Sequence, residues 1–170
     1  GITHAFLQQT PVDAIYRAKG IDYSRHAGDL KSFCELLATA PLVFSPGDRW
    51  NYSNSTDVLG RVVEVASGMS LDAFFRKRIF EPLGMNDTFF SVPEDKIERL
   101  MACYARNPAN GVTGLADPAG KTSVYARKPN VFSGGGGLAS TIGDYFTFCK
   151  MLGNGGELNG VRLLSPKTLE

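Results

Sequence analysis

Four short apolar stripes, each fenced by proline, glycine or a capping residue, constrain this chain more than any other feature. Leu30, Phe33, Cys34 and Leu37 fall at i, i+3, i+4 and i+7, which is one face of a helix, and Pro41 ends the segment. Val58, Leu59, Val62, Val63 and Ala66 make a second stripe, closed by Gly68. Ser70 reads as the cap of a helix carrying Leu71, Phe74 and Phe75 that stops before Pro82. Thr141-Ile142-Gly143-Asp144 reads as a capping box opening a helix with Ile142, Tyr145, Phe146, Cys149 and Leu152 on one face. Upstream, Thr10-Pro11-Val12-Asp13 combines a cap, a first-turn proline and a capping-box acid, predicting a helix to about Gly20. Residues 101–132 show no helical period, and Met101 to Ala105 reads as a strand. The expected fold class is mainly α with a few short β segments.

Composition narrows the function classes. At 170 residues one domain is the default. A net charge of +1 argues against a nucleic-acid surface. No apolar run approaches the roughly 20 residues of a membrane span. Cys34, Cys103 and Cys149 are odd in number and lack metal-ligand spacing, so they read as reduced core thiols. With no metal-ligating cluster in the sequence, no cofactor is expected.

The chemistry concentrates in Phe44-Ser45-Pro46-Gly47-Asp48-Arg49-Trp50-Asn51-Tyr52-Ser53-Asn54. Pro46-Gly47 reverses the backbone, and Trp50 reads as a structural anchor. Tyr52 and Asn54 are alternate residues, which on extended backbone point the same way. A phenol that exchanges a proton and a carboxamide that donates and accepts are then aimed into one space. The bland readings are a loop tyrosine bonded to backbone, and an N-cap asparagine for the helix that follows. Asn54 can fill both roles. His4 and His26 have no Gly-x-Ser-x-Gly elbow to serve and read as surface histidines. Arg61, Arg76, Lys77 and Arg78 read as a solvated helix face.

The loop does not stand alone. Tyr52-Ser53-Asn54 is followed by Gly60, Ser67-Gly68, and Glu81-Pro82-Leu83-Gly84-Met85-Asn86-Asp87-Thr88. Next come Ser133-Gly134-Gly135-Gly136-Gly137-Leu138-Ala139-Ser140-Thr141 with Asp144-Tyr145, then Asn154-Gly155-Gly156-Glu157-Leu158-Asn159-Gly160. Together these ordered blocks resemble the serine beta-lactamase and penicillin-binding-protein superfamily, in its class C-like and esterase branch. The resemblance covers nearly the whole chain. It implies the helical lobe of an α/β fold, with the flanking α/β parts absent from residues 1–170, and a single fragment rather than two domains.

Two of that family's motifs are missing. No serine here has a lysine three residues later, and the nearest miss is Ser165-Pro166-Lys167. The late Lys-Thr-Gly or His/Trp-x-Gly triplet is also absent, since Lys121-Thr122-Ser123 precedes the glycine block. The opening Gly1-Ile2-Thr3 and the closing Ser165-Pro166, a cap and a first helical residue, both read as cut ends.

The resemblance implies acyl transfer through a covalent intermediate. A serine attacks an ester, lactam or amide carbonyl, and Tyr52 acts as base or relay. A neighbouring cation would favour the phenolate. Asn54 would bind the acyl side chain, and Gly134, Gly135 and Gly136 would border the cleft, where absent side chains let a substrate approach. A mere hinge is the bland reading of those glycines. Tyr-Ser-Asn with Pro-Leu-Gly-Met looks more like esterase and D-amino-peptide hydrolase relatives than dedicated class C beta-lactamases. The implied partners are a small ester, lactam or D-amino peptide substrate, with self-association of the piece. Alternatives are an acyltransferase or a non-catalytic binding or assembly module. Nothing in the sequence assigns a compartment.

Overall fold

The computed structural model describes residues 1–170, which divide into two compact units. The first holds Gly1–Lys77 and Asn130–Gly137, and the second holds Arg78–Pro129 and Leu138–Glu170. The chain is mainly helical with short strands, as its sequence predicts.

In the first unit, α1 (Pro11–Ala18) starts on a complete capping box. The Asp13 N–H donates to the Thr10 hydroxyl at 3.3 Å, and the Thr10 N–H donates to the Asp13 carboxylate at 2.8 Å. Asp13 also accepts from the Thr3 hydroxyl at 2.6 Å and the Gln9 N–H at 2.7 Å, so its burial leaves no charge unserved. Helix α2 (Leu30–Leu37) buries Leu30, Phe33 and Leu37, the face its spacing predicts. Helix α3 (Ser55–Ser67) ends on Gly68 at φ 69°, a left-handed position that favours glycine. It packs against α2 and against α4 (Leu71–Phe75).

The inward face of α3 is not the predicted stripe. Leu59 and Val62 are exposed at 59% and 55%, whereas Asp57 and Gly60 are buried. Asp57, Gly60 and Glu64 share a face at i, i+3 and i+7. Gly60 explains the choice: a Cβ there would meet the Leu71 side chain at 2.9 Å and Leu30 at 3.4 Å. Backbone-close packing selected the small residue over the apolar ones. Glu64 then accepts the Leu71 N–H at 3.1 Å and pairs with Arg61 at 3.0 Å. Arg61 is therefore tied to its own helix rather than simply solvated. Ser70, predicted as a cap, makes no side-chain cap bond, and the Leu71 N–H of the same first turn is served by Glu64.

The helical path continues past α4 through a π turn, Arg76–Phe80, into α5 (Glu81–Leu83), which closes on left-handed Gly84. The helix was expected to stop before Pro82. Instead Pro82 sits in the first turn of α5, where a missing N–H is tolerated. In the second unit β1 (Cys103–Arg106) pairs antiparallel with β2 (Thr113–Asp117), Tyr104 opposite Leu115. Helix α6 (Ile142–Gly153) begins at Thr141, whose hydroxyl accepts the Asp144 N–H at 3.2 Å. The Asp144 carboxylate is used elsewhere, accepting the Asp87 N–H at 2.7 Å and the Thr88 hydroxyl at 2.9 Å. Only half of the predicted capping box forms, since a long-range contact captured the acid. Lys96 at 2.7 Å and Arg99 at 2.9 Å hold the Asp87 carboxyl below its ordinary range. A small hairpin of β3 (Glu157–Leu158) and β4 (Val161–Arg162) precedes α7 (Pro166–Leu169), capped by Ser165 as its sequence predicts.

The first unit buries Tyr16, Ile21, Leu30, Phe33, Leu37 and Leu71; the second buries Phe80, Leu83, Met85, Phe90, Ile97 and Met151. The cysteines are not core thiols as a set. Cys103 and Cys149 are exposed, and only Cys34 is half-buried, where burial pushes its thiol up. Cys149 follows the exposed face of α6, on which Ile142 is 91% exposed. No helix is long and apolar enough to cross a membrane.

Candidate active site

The site lies within the first unit, where the opening segment runs beside the Pro46–Asn54 loop. The Val43 N–H donates to the Gly1 carbonyl at 2.8 Å, the Asn51 amide to the Ile2 carbonyl at 2.7 Å, and the Asn54 amide to the Thr3 carbonyl at 2.9 Å. Asn51 thus fastens the loop, a role its sequence position does not signal. The Arg49 guanidinium lies 4.5 Å over the Phe44 ring. Trp50, read as an anchor, is 83% exposed. Phe44 is half-buried beneath Arg49.

Tyr52 is 54% exposed and lines a groove of about 600 Å³ with Leu42, Phe44, Trp50, Ser53 and Thr56. Its ring lies tilted against those of His4, at 5.2 Å between centroids, and Phe6, at 6.2 Å. Asn54 is buried and lines a different space of about 300 Å³, together with His4, Phe6, Arg17 and Arg25. The expectation that Tyr52 and Asn54 aim into one space is therefore corrected. Alternation needs extended backbone, and Asn54 is already bent toward helix at φ −71°, ψ 18°. Asn54 holds the N-cap position of α3 but makes no side-chain cap bond. Its Nδ2 goes to Thr3, and its Oδ1 is buried without a donor.

His4 contacts both Tyr52 and the Asn54 pocket, so it is not a plain surface residue. Burial holds its imidazole below the ordinary 6.5, against Asp57, the Ser53 backbone and Asp22, which pull the other way. His26 is likewise half-buried, with Nε2 2.9 Å from the Ser32 hydroxyl and its ring edge-on to Phe33.

The glycine block docks on the start of α3. A Cβ on Gly134 would lie 2.2 Å from the Thr56 carbonyl oxygen, and one on Gly135 2.6 Å from the Thr56 hydroxyl. Close packing accounts for glycine at both positions. Gly136 faces open space. The Ser133 hydroxyl donates to Asp57 at 2.5 Å and accepts from the Gly135 and Gly136 N–H groups at 3.2 and 3.1 Å. Neither Asp57 nor Ser133 stands out in the sequence. Asp57 directly precedes the apolar stripe of α3, and Ser133 opens the glycine block without a feature that marks its hydroxyl. No three His, Cys, Asp or Glu side chains gather as a metal site would require.

The comparisons with known proteins agree with the fold. The family model described as Beta-lactamase matches residues 8–170. A Mycobacterium tuberculosis (strain H37Rv) protein is 38% identical over 133 residues, 78% of this chain and 32% of that protein. Lovastatin esterase from Penicillium rubens is 35% identical over 161 residues, 93% of this chain and 38% of that protein. The structure of a simvastatin synthase mutant from Aspergillus terreus superposes at a TM-score of 0.73 and 27% identity, covering 99% of this chain and 36% of that one. The chain thus spans about a third of the length of the curated relatives it matches. With its order of motifs, its helical architecture and this match over nearly all of its length, the chain belongs to the beta-lactamase family.

Proposed function

We propose that the protein carrying this chain is a serine hydrolase that cleaves an ester, lactam or amide through an acyl-serine intermediate. Residues 1–170 are its helical lobe. Tyr52 is the base or proton relay, Asn54 binds the acyl group, and Gly134, Gly135 and Gly136 border the cleft.

The observation that carries this reading is the Asn54 side chain. Its Oδ1 is buried with no donor, and leaving such an acceptor unpaired costs about 1–3 kcal/mol. A donor brought to it removes that penalty, and a lysine ammonium or a substrate amide N–H is such a donor. Tyr52, half-exposed on an open and largely apolar groove, is accessible to an acyl group and its leaving group. A lysine ammonium near the phenol would favour the phenolate and make Tyr52 a competent base. No Ser-x-x-Lys occurs in the 170 residues, so the nucleophile is assigned to the protein outside them. The likeness to a monacolin J acid methylbutanoyltransferase from Aspergillus terreus, 30% identical, favours a second reading, in which an acceptor other than water takes the acyl group.

Intact-mass spectrometry after exposure to a fluorophosphonate and to p-nitrophenyl esters tests this. The full protein should gain one covalent label and release p-nitrophenol, and the 170-residue chain alone should do neither. No label and no turnover in the full protein would make the chain part of a binding module. Label and turnover in the chain alone would place the nucleophile within it.

A further inference from the structure

We propose that Asp57 and Ser133 are positioning residues, a buried strut that sets the distance between the glycine loop and the first turn of α3. The proposal rests on the reading above for its functional consequence, though its geometry stands independently.

Asp57 is the third residue of α3, three places after Asn54. A carboxylate there suits the positive end of the helix, but burial to 1% exposure demands donors. Those donors come from the loop. Ser133, itself 4% exposed, gives its hydroxyl proton to Asp57 Oδ1 at 2.5 Å across a sequence separation of 76 residues. The Gly135 N–H adds a longer bond to the same oxygen at 3.4 Å. The Ser133 oxygen then clasps the loop by accepting the Gly135 and Gly136 N–H groups. The Ser133–Asp57 bond and the Gly135 N–H bond to the same oxygen together tie the loop to the helix. The Thr56 contacts of Gly134 and Gly135 fix how closely they meet.

Two consequences follow. The N–H groups of Gly135 and Gly136 are engaged by Ser133, so these two donors shape the loop and are not free to bind an anion. Loosening the strut should also move the loop relative to Asn54 and Tyr52, which weakens substrate binding more than it slows the proton transfer itself.

Amide hydrogen exchange on the full protein tests the strut. In the wild type the Gly135 and Gly136 amides should be protected. In Asp57→Ala and Ser133→Ala their protection should fall about tenfold or more while the α1 amides keep theirs. Asp57→Asn keeps an acceptor oxygen of the same shape and should retain most of it. On an ester with a bulky acyl group, Ser133→Ala should raise KM about tenfold with kcat within about threefold, a split that mere loss of folded protein does not produce. Unprotected Gly135 and Gly136 amides in the wild type, or full protection in both alanine variants, would overturn the strut. Lost protection with unchanged KM and kcat would reduce it to a folding element. Where the alanine variants fail to fold, the wild type and Asp57→Asn still decide. A protein that hydrolyses nothing sinks the hydrolase reading while the exchange arm still judges the strut.

Discussion

Asp13 and Asn54 are both buried polar side chains, and they differ in what serves them. Asp13 collects donors from Thr3, Gln9 and Thr10, all close in sequence. Burial alone would raise its pKa, but these hydrogen bonds outweigh it and hold the carboxyl below 3.8. Its contribution is therefore present above that value and lost as pH falls through the lower folded value. Asn54 has its amide served by the Thr3 carbonyl, while its buried oxygen has no donor. His4 gives the clearest pH signature. Its folded pKa lies below the unfolded 6.5 because burial penalises the imidazolium. Stability from neutral His4 is thus complete above 6.5 and is lost as pH drops below it toward the folded value. Between pH 7 and pH 5, urea unfolding should show the wild type losing more stability than His4→Gln. Parallel losses in the two proteins would mean that His4 is solvated in solution.

Local signals were legible at the level of elements, and partner-dependent ones were not. The Thr10 box and the Ser165 cap were readable because each is satisfied within a few residues, and the α2 face because its apolar spacing is regular. Thr10→Ala should cost about 1 kcal/mol, measured as a lower denaturation midpoint with an unchanged slope. A larger change in slope than in midpoint would point to a looser native state. The inward face of α3 was not readable, because Gly60 was chosen by how near Leu71 and Leu30 approach, not by hydrophobicity. For the same reason half of the Thr141 box failed: Asp144 is drawn to Asp87 and Thr88, more than 50 residues away. The glycine loop gives a sharp contrast. Gly134→Ala forces a Cβ into the Thr56 carbonyl, whereas Gly136→Ala meets nothing. Gly134→Ala should destabilise by about 2 kcal/mol or more, in the manner of an overpacked site, and Gly136→Ala by under about 0.5 kcal/mol. Equal effects would show that the loop does not sit on α3 as described.

For the whole molecule, the family and the mainly helical class were legible because the motif blocks keep their order along the chain. The aim of Tyr52 and Asn54 was not, because the turn into α3 intervenes between them. Each unit also carries an apolar surface. Leu59, Val62 and Val65 are exposed in the first, and Ile142, Tyr145 and Phe146 in the second. Clustered exposed apolar groups usually mark an interface. The 170-residue chain alone should therefore self-associate in sedimentation or bind a hydrophobic dye, and a dye-free monomer with a sharp two-state melt would show that these faces need no cover. The central claim, that Tyr52 handles the proton in an acyl-serine reaction, has one direct measurement: steady-state kinetics of Tyr52→Phe in the full protein on its best ester. Removing the hydroxyl while keeping the ring on His4 and Phe6 should lower kcat by about 10²–10⁴-fold with a smaller change in KM. A variant that keeps near wild-type kcat would make Tyr52 a packing residue and contradict the account.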